Sequence, residues 1–385
     1  MGNVAAVICE YNPFHSGHKY QIDKIKENTD NTAVIAVMSG EVTQRGEFAL
    51  TDKYVRAEAA IRCGVDAVFE LPYPYCASCA EIFAKAGVSI ASALGANRLY
   101  FGTESGNTEY IEKIADAVDS TEFNEKASLL VKDFGGSYLD AKEKALSDMG
   151  LDIPKTPNDI LATEYVRAIK NGGYDMEYKT IKRTGAEYKD EGVSDIMSAS
   201  AIRKYFYENG DILSVPKEAK EIYEKAEKEG LILDPKETEN FLFRYILSQS
   251  PEKIEKAFDA GDGIGYFICS TAKESKNAQE FFKALTSKSY TYARLKRVVM
   301  YSLFGIEDIA SLPSYTVLLA SNAKGREICK NSKIPIITKM ADVKKLDPVS
   351  EKALKTSIRT DEIYMSLLNS PRPSSYAYKR APFIL

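Results

Sequence analysis

The chain has 385 residues, 44% of them apolar and 28% charged, with 51 Lys and Arg against 55 Asp and Glu. That length suggests two or three domains, and the composition excludes disorder as the main state. A net charge of −4 excludes a uniformly basic nucleic-acid binder, so any such contact has to come from a local patch. The two histidines, His15 and His18, stand three residues apart, which confines imidazole chemistry to one place. The opening MGNVAAVICEYNPF lacks the basic start of a secretory signal, and no stretch approaches the roughly 18 apolar residues of a membrane span, so the expected location is the cytoplasm.

Residues Val4–Cys9 read as a buried strand, followed by a turn and a helical stretch, Gly17–Glu27. Ala33–Met38 repeats the strand signal and ends in Ser39-Gly40; a helix covers about Asp52–Cys63, and Ala67–Glu70 is the next short strand. A helix over Cys79–Leu94, a strand over Arg98–Phe101 ending at Gly102, a helix after Asn158, a strand at Tyr178–Ile181 and a helix opening near Ser198 continue the alternation. Strand, helix, strand in this order predicts a Rossmann-like α/β domain with a parallel sheet, whose ligands sit beyond the carboxyl ends of the strands. After about residue 210 the texture turns to Lys/Glu-rich helices such as Pro216–Gly230, then apolar-periodic ones (Glu239–Leu247, Tyr290–Leu303). A small α/β piece (Thr316–Ala320, Lys324–Asn331, Pro335–Thr338) and a tail, Ser370–Leu385, close the chain. The expected division is a catalytic domain over 1–210 and a mainly helical domain over 211–385. Cys76 and Cys79 have CxxC spacing without the second pair that a structural zinc needs, and read as buried structural thiols; no metal ligands are expected.

Chemistry concentrates on Asn12-Pro-Phe-His15-Ser-Gly17-His18, the turn between the first strand and first helix. Gly17 allows close backbone approach, the helix start offers N–H groups and a positive dipole end, and two imidazoles there suit a phosphate. A second cluster, Ile196-Met-Ser198-Ala-Ser200-Ala-Ile202-Arg203, puts two hydroxyls and a guanidinium on a helix start, where they cap the helix or bind phosphate oxygens.

Together the two motifs resemble the HxGH nucleotidyltransferase superfamily, with Met197 in place of the isoleucine usual before the first serine. The closer resemblance is to the bacterial tRNA(Met) cytidine acetate ligase family. Glu10-Tyr-Asn-Pro-Phe-His15-Ser-Gly-His18, Met38-Ser-Gly40, Gln44-Arg-Gly-Glu47, Glu70-Leu-Pro72 and Phe101-Gly102-Thr-Glu104 carry it, then Pro157-Asn158-Asp-Ile-Leu161, Ile181-Lys-Arg183 and Ser287-Lys-x-Tyr290. Departures are Glu41-Val42 for a usual Asn-Phe, Phe48 for a usual Pro, and Leu319-Ala320 before Ser-Asn322. The resemblance implies an ATP site of Ile8, Cys9, Glu10, Tyr11, Asn12, Pro13, Phe14, His15, Ser16, Gly17, His18, Lys19, Tyr20 and Gln21, with Gly102, Asn158 and Arg183. It also implies two steps: acetate and ATP give acetyl-adenylate, and the acetyl group then passes to N4 of the wobble cytidine of elongator tRNA(Met).

Acetate is already ionised at neutral pH, so the first step needs charge neutralisation rather than a general base. His15, His18 and Lys19 are the expected groups at the α-phosphate, with Ser198, Ser200 and Arg203, aided by Mg²⁺, at the diphosphate. Gln44 and Arg45 follow the second strand, near the acetyl group or the cytidine on this reading, or in a purely structural turn. RNA contact is expected from Tyr290, Tyr292, Arg294, Lys296 and Arg297, where helical spacing puts Tyr290, Arg294, Arg297 and Tyr301 on one face, and from Arg372, Lys379 and Arg380 of the tail. Two other readings stay open: an adenylyltransferase acting on a coenzyme precursor, and a non-catalytic nucleotide or RNA binder on the same fold.

Overall fold

A computed structural model describes residues 3–28, 32–134, 138–183, 197–261, 263–286, 290–309 and 311–385. Short apolar runs form the strands β1 (Val4–Cys9), β2 (Ala33–Ser39), β3 (Ala67–Leu71), β4 (Arg98–Thr103) and β5 (Glu177–Lys182). They lie side by side in the order β5-β4-β1-β2-β3, all parallel. The central strands β2 and β3 are buried along their whole length, as a sheet covered on both faces requires. The helices α1 (Ser16–Glu27), α2 (Lys53–Arg62) and α3 (Ala80–Ala93) connect the first four strands, and helix Pro157–Asn171 leads into β5 and packs on α3. The chain runs outward from β1 through β2 to β3, then crosses to the other side of β1 for β4. That reversal is a topological switch point, where the loops after β1 and β4 diverge and leave a crevice.

The expected division near residue 210 does not divide the sheet. Strand β6 (Thr316–Ser321) adds antiparallel to β3, and β7 (Ile336–Ile337) and β8 (Phe383–Ile384) pair with β6. The small α/β piece expected within the C-terminal domain therefore extends the first sheet, and one buried core runs through both halves. Helix Pro348–Ser366 is anchored back on β3 by Lys53, whose Nζ donates to Glu70 (2.8 and 2.9 Å) and to Asp361 (2.8 and 2.9 Å). Three helices between β4 and β5 (Thr108–Val118, Thr121–Phe134, Tyr138–Asp148) carry a small core of their own around Phe123 and Leu146; the sequence reading passed over them.

The six cysteines are unpaired, and burial raises the Cys76 and Cys79 thiols, as expected of structural groups. Among the described residues no helix is long and apolar enough to cross a membrane.

Candidate active site

The loop that leaves β1 is fastened from below before it presents anything to a ligand. Tyr11 sits at φ +46°, fully buried; Asn12 Oδ1 accepts from Leu50 N (2.8 Å), and Phe14 N donates to the Tyr223 hydroxyl (2.7 Å). Tyr11, Asn12 and Phe14 thus fasten the loop to the rest of the fold. Arg203, expected at the diphosphate, also holds the loop: its Nη1 donates to Asn12 O (2.7 Å).

His15 is the N-cap of α1. Its Nδ1 accepts from Gly17 N (3.0 Å), while His18 Nδ1 accepts from His15 N (3.2 Å), and the two rings stack with centroids 3.7 Å apart. With both Nδ1 atoms occupied as acceptors, each neutral imidazole carries its proton on Nε2. Burial, reinforced by the Arg183 charge, pushes the His15 imidazole down to about 3; burial and its two neighbours hold His18 well below the ordinary histidine range. Burial thus favours the neutral imidazole at both positions.

The N–H groups expected at the start of α1 are already engaged. Ser16 N donates to Ser214 O (2.9 Å), Gly17 N to His15 Nδ1, and His18 N and Lys19 N to His15 O (2.9 and 3.1 Å). The imidazole Nε2–H groups, with the helix dipole behind them, are the donors the histidines leave at this turn. Lys19 is held by Asp23 one turn on (2.5 and 2.7 Å), away from the cavity wall.

A cavity of about 80 Å³ is lined by His15, Gly17, His18, Tyr20 and Gln21 on one side and by Gly102, Ile181, Lys182 and Arg183 on the other. It lies where β1 and β4 part, at the switch point. The Arg183 stem lies across Gly102, where a Cβ would come within 3.1 Å of it. Asn158 Nδ2 donates to Glu104, whose Oε1 lies 3.9 Å from Arg183 Nε, so Gly102, Asn158 and Arg183 do meet at the ends of β4 and β5. Asp159 accepts from Glu104 N (3.1 Å) and fixes that strand end. A larger groove of about 480 Å³ between α2, helix Lys217–Lys228 and the C-terminal residues holds none of the loop residues.

Ser198 caps helix Ala199–Asn209 by accepting from Ala201 N (3.2 Å), and Ser200 is exposed; Ile196, which begins that motif, lies outside the described residues. Ser214, which the sequence reading missed, joins the two motifs. Its carbonyl accepts from Ser16 N and Oγ, and its hydroxyl accepts from Met197 N (3.0 Å). Its only local signal was a Leu-Ser-Val-Pro turn between two helices.

The basic helix departs from expectation. In Tyr292–Phe304, Arg297 and Tyr301 are buried, the Tyr301 hydroxyl donating to Ala77 O (2.8 Å), so no solvent face carries Arg294, Arg297 and Tyr301 together. Arg294 pairs with Asp259 (2.9 Å), Lys296 with Glu47, and Arg297 Nη2 lies 3.9 Å from Asp259. In the tail, Arg380 pairs with Asp52 (2.9 Å) over the Tyr54 ring and Arg372 donates to Glu229 O (2.8 Å), while Lys379 is exposed. Tyr290 faces the Phe267 ring, and Ser287-Lys-x lies outside the described residues.

The lowered imidazoles carry a sign. Below about pH 6.5 the unfolded chain binds protons that the folded chain refuses, so stability falls as pH drops from 6.5, for His15 down to about 3. Each refused proton costs about 1.4 kcal/mol per pH unit. With only two histidines, proton NMR should show two imidazole signals that hold their neutral positions from pH 8 to pH 5; a titration midpoint near 6.5 for either would contradict the buried geometry.

A family model described as HIGH Nucleotidyl Transferase matches residues 2–380. The tRNA(Met) cytidine acetate ligase of Fervidobacterium nodosum is 34% identical, over 87% of this chain and 83% of its own. That of Clostridium perfringens is 33% identical over 99% of both chains. Among solved structures, Thermotoga maritima TmcAL superposes with a TM-score of 0.91 in its apo form and 0.90 with alpha-thio ATP bound. Both are 28% identical, and each comparison covers 100% of this chain and 99% of the other.

Proposed function

Because the chain belongs to the tRNA(Met) cytidine acetate ligases of the HIGH nucleotidyl transferase family, we propose that it joins acetate to N4 of the wobble cytidine (C34) of elongator tRNA(Met), with ATP going to AMP and diphosphate. The observation that carries the chemistry is the stacked pair His15 and His18, each with Nε2–H free of the Nδ1 contacts that fix it, at the switch point beside Gly102 and Arg183.

In the first step an acetate oxygen attacks the α-phosphorus of ATP. The new O–P bond forms as the bond to the β-phosphate breaks, and diphosphate leaves. Two neutral Nε2–H donors on the α-phosphate oxygens strengthen as charge develops there and cost no protonation event. Arg183 supplies fixed positive charge, and Asn158 and Glu104 complete the nucleotide side of the crevice. Diphosphate departs toward the start of helix Ala199–Asn209, where Ser198 and Ser200 stand and which Ser214 ties to the histidine loop. Among the described residues no three His, Cys, Asp or Glu gather to hold a metal. Magnesium would come with the triphosphate and its waters and would supply charge neutralisation at the phosphate oxygens. In the second step N4 attacks the acetyl carbon, the C–N bond forms, the bond to AMP breaks, and one proton is released.

The names of the curated relatives favour this reading over a coenzyme adenylyltransferase. RNA reaches the site across the surface near Tyr290, Tyr292 and Lys379, with Arg294, Lys296, Arg297, Arg372 and Arg380 as paired charges that hold that surface in shape. The substrates place the protein in the cytoplasm. Incubation with ATP, radiolabelled acetate and bulk tRNA should label one nucleoside, N4-acetylcytidine. Label absent from RNA, with AMP joined to a small acceptor, would move the assignment to the adenylyltransferase.

A further inference from the structure

We infer that a second cavity, of about 200 Å³, receives the acceptor cytosine ring itself. This rests on the ligase reading above. The cavity lies between the loop after β2 (Gly46–Phe48), helix Ala199–Asn209 and helices Pro235–Leu247 and Tyr292–Phe304.

Its position connects it to the histidine loop. Arg203 lines the cavity and at the same time donates to Asn12 O. The loop after β2 is strapped to the end of β1 by Gln44 N donating to Glu10 Oε1 (2.8 Å). Gly46, at φ +72°, brings that loop onto helix Tyr292–Phe304: a Cβ there would lie 2.6 Å from Arg297 N. Arg203 and the Gln44–Glu10 contact thus tie the cavity to the segment that carries the two histidines.

Its size and lining select the occupant. A volume of about 200 Å³ accommodates a single flat ring. Leu242, Val299 and Phe282 give it an apolar floor. At the rim Tyr207 and Tyr292 are 40% and 39% exposed, unusual for rings of that size and suited to stacking on an extruded base. Two carboxylates, Glu47 and Glu239, stand beside two cations, Arg203 and Lys296. Cytosine presents an N4–H donor next to the N3 and O2 acceptors, so it pairs with a carboxylate and a cation side by side. Uracil has O4 where cytosine has N4–H₂, and an oxygen there meets the carboxylate as acceptor against acceptor. A wobble base lies in a single-stranded loop, which keeps the cost of extruding it low.

The test uses the full chain. Leu242→Trp fills the cavity; acetate-dependent exchange of pyrophosphate into ATP should stay within about twofold, while acetylation of tRNA falls at least tenfold. Tyr207→Ala, on the exposed rim, should lower acetylation severalfold, and Tyr207→Phe should restore it, because the ring face and not the hydroxyl is used. An anticodon hairpin with cytosine at the acceptor position should inhibit tRNA acetylation better than one with uracil, and Leu242→Trp should erase that difference. Unchanged acetylation in Leu242→Trp, or equal loss of exchange and acetylation in both Leu242→Trp and Tyr207→Ala, overturns the assignment. Absence of acetate-dependent exchange in the unaltered protein instead overturns the ligase reading beneath it.

Discussion

His18→Asn should lower kcat for acetate-dependent pyrophosphate exchange by about 10²–10³-fold, the usual loss when one preorganised donor to a developing charge is removed. Asparagine keeps an oxygen able to accept from His15 N, so the cap on the loop survives while the reach of Nε2–H is lost. Packing of the ring against Tyr11 and Phe14 (centroids 4.8 and 5.5 Å) is also reduced, which makes the asparagine variant preferable to alanine. Since His18 is neutral in the folded protein, raising or lowering pH between 6 and 8 should not rescue the variant. Chemically prepared acetyl-adenylate supplied to the variant bypasses attack at the α-phosphorus, so tRNA acetylation from it should fall less than acetate-dependent exchange does. Exchange within threefold of the unaltered protein would remove His18 from the mechanism.

What the sequence revealed and what it hid divide along physical lines. The strands up to β5 and the turn that carries both histidines were readable because short apolar runs and a Gly-containing turn are local signals. The attachment of β6 to β3 was not, since pairing between distant segments leaves no periodicity in either. The protonation state of the histidines was not legible: burial beside Arg183 favours the neutral form, and burial depends on what the rest of the chain lays over them. The contacts of Arg203 with Asn12 O and of Lys19 with Asp23 were not legible either, since each depends on how the fold brings the partner near. The helix Tyr292–Phe304 misled for a related reason. A charged residue at helical spacing reads as solvent-facing, yet this helix is enclosed nearly all round, and Asp259 and Glu47 arrive from other segments to meet its charges.

The same blindness applies to α2, where Arg56 passes for a surface residue and is fully buried. Its guanidinium donates to four carbonyls: Thr51 O (3.1 Å), Glu10 O (2.6 Å), Ser39 O (3.1 Å) and Gly40 O. Glu10, Ser39 and Gly40 stand at the carboxyl ends of β1 and β2, the points from which the histidine loop and the loop after β2 depart, and Thr51 just precedes α2. Glu41 stands 3.8 Å away, its carboxyl held well above the ordinary range by burial despite Lys53 and Arg56. Arg56→Ala leaves four buried acceptors without a donor and opens a cavity, so unfolding by urea should show a loss of about 3–5 kcal/mol. Arg56→Lys should recover less than half of that, because an ammonium on a flexible stem cannot span both strand ends with a planar fork. If the alanine variant folds, its KM for ATP should rise as the histidine loop loses its footing, and a given concentration of ATP should therefore stabilise it less than the unaltered protein. A loss below about 1 kcal/mol would mean that water reaches the strand ends and replaces the guanidinium, and that the loop is held by Asn12 and Tyr223 instead.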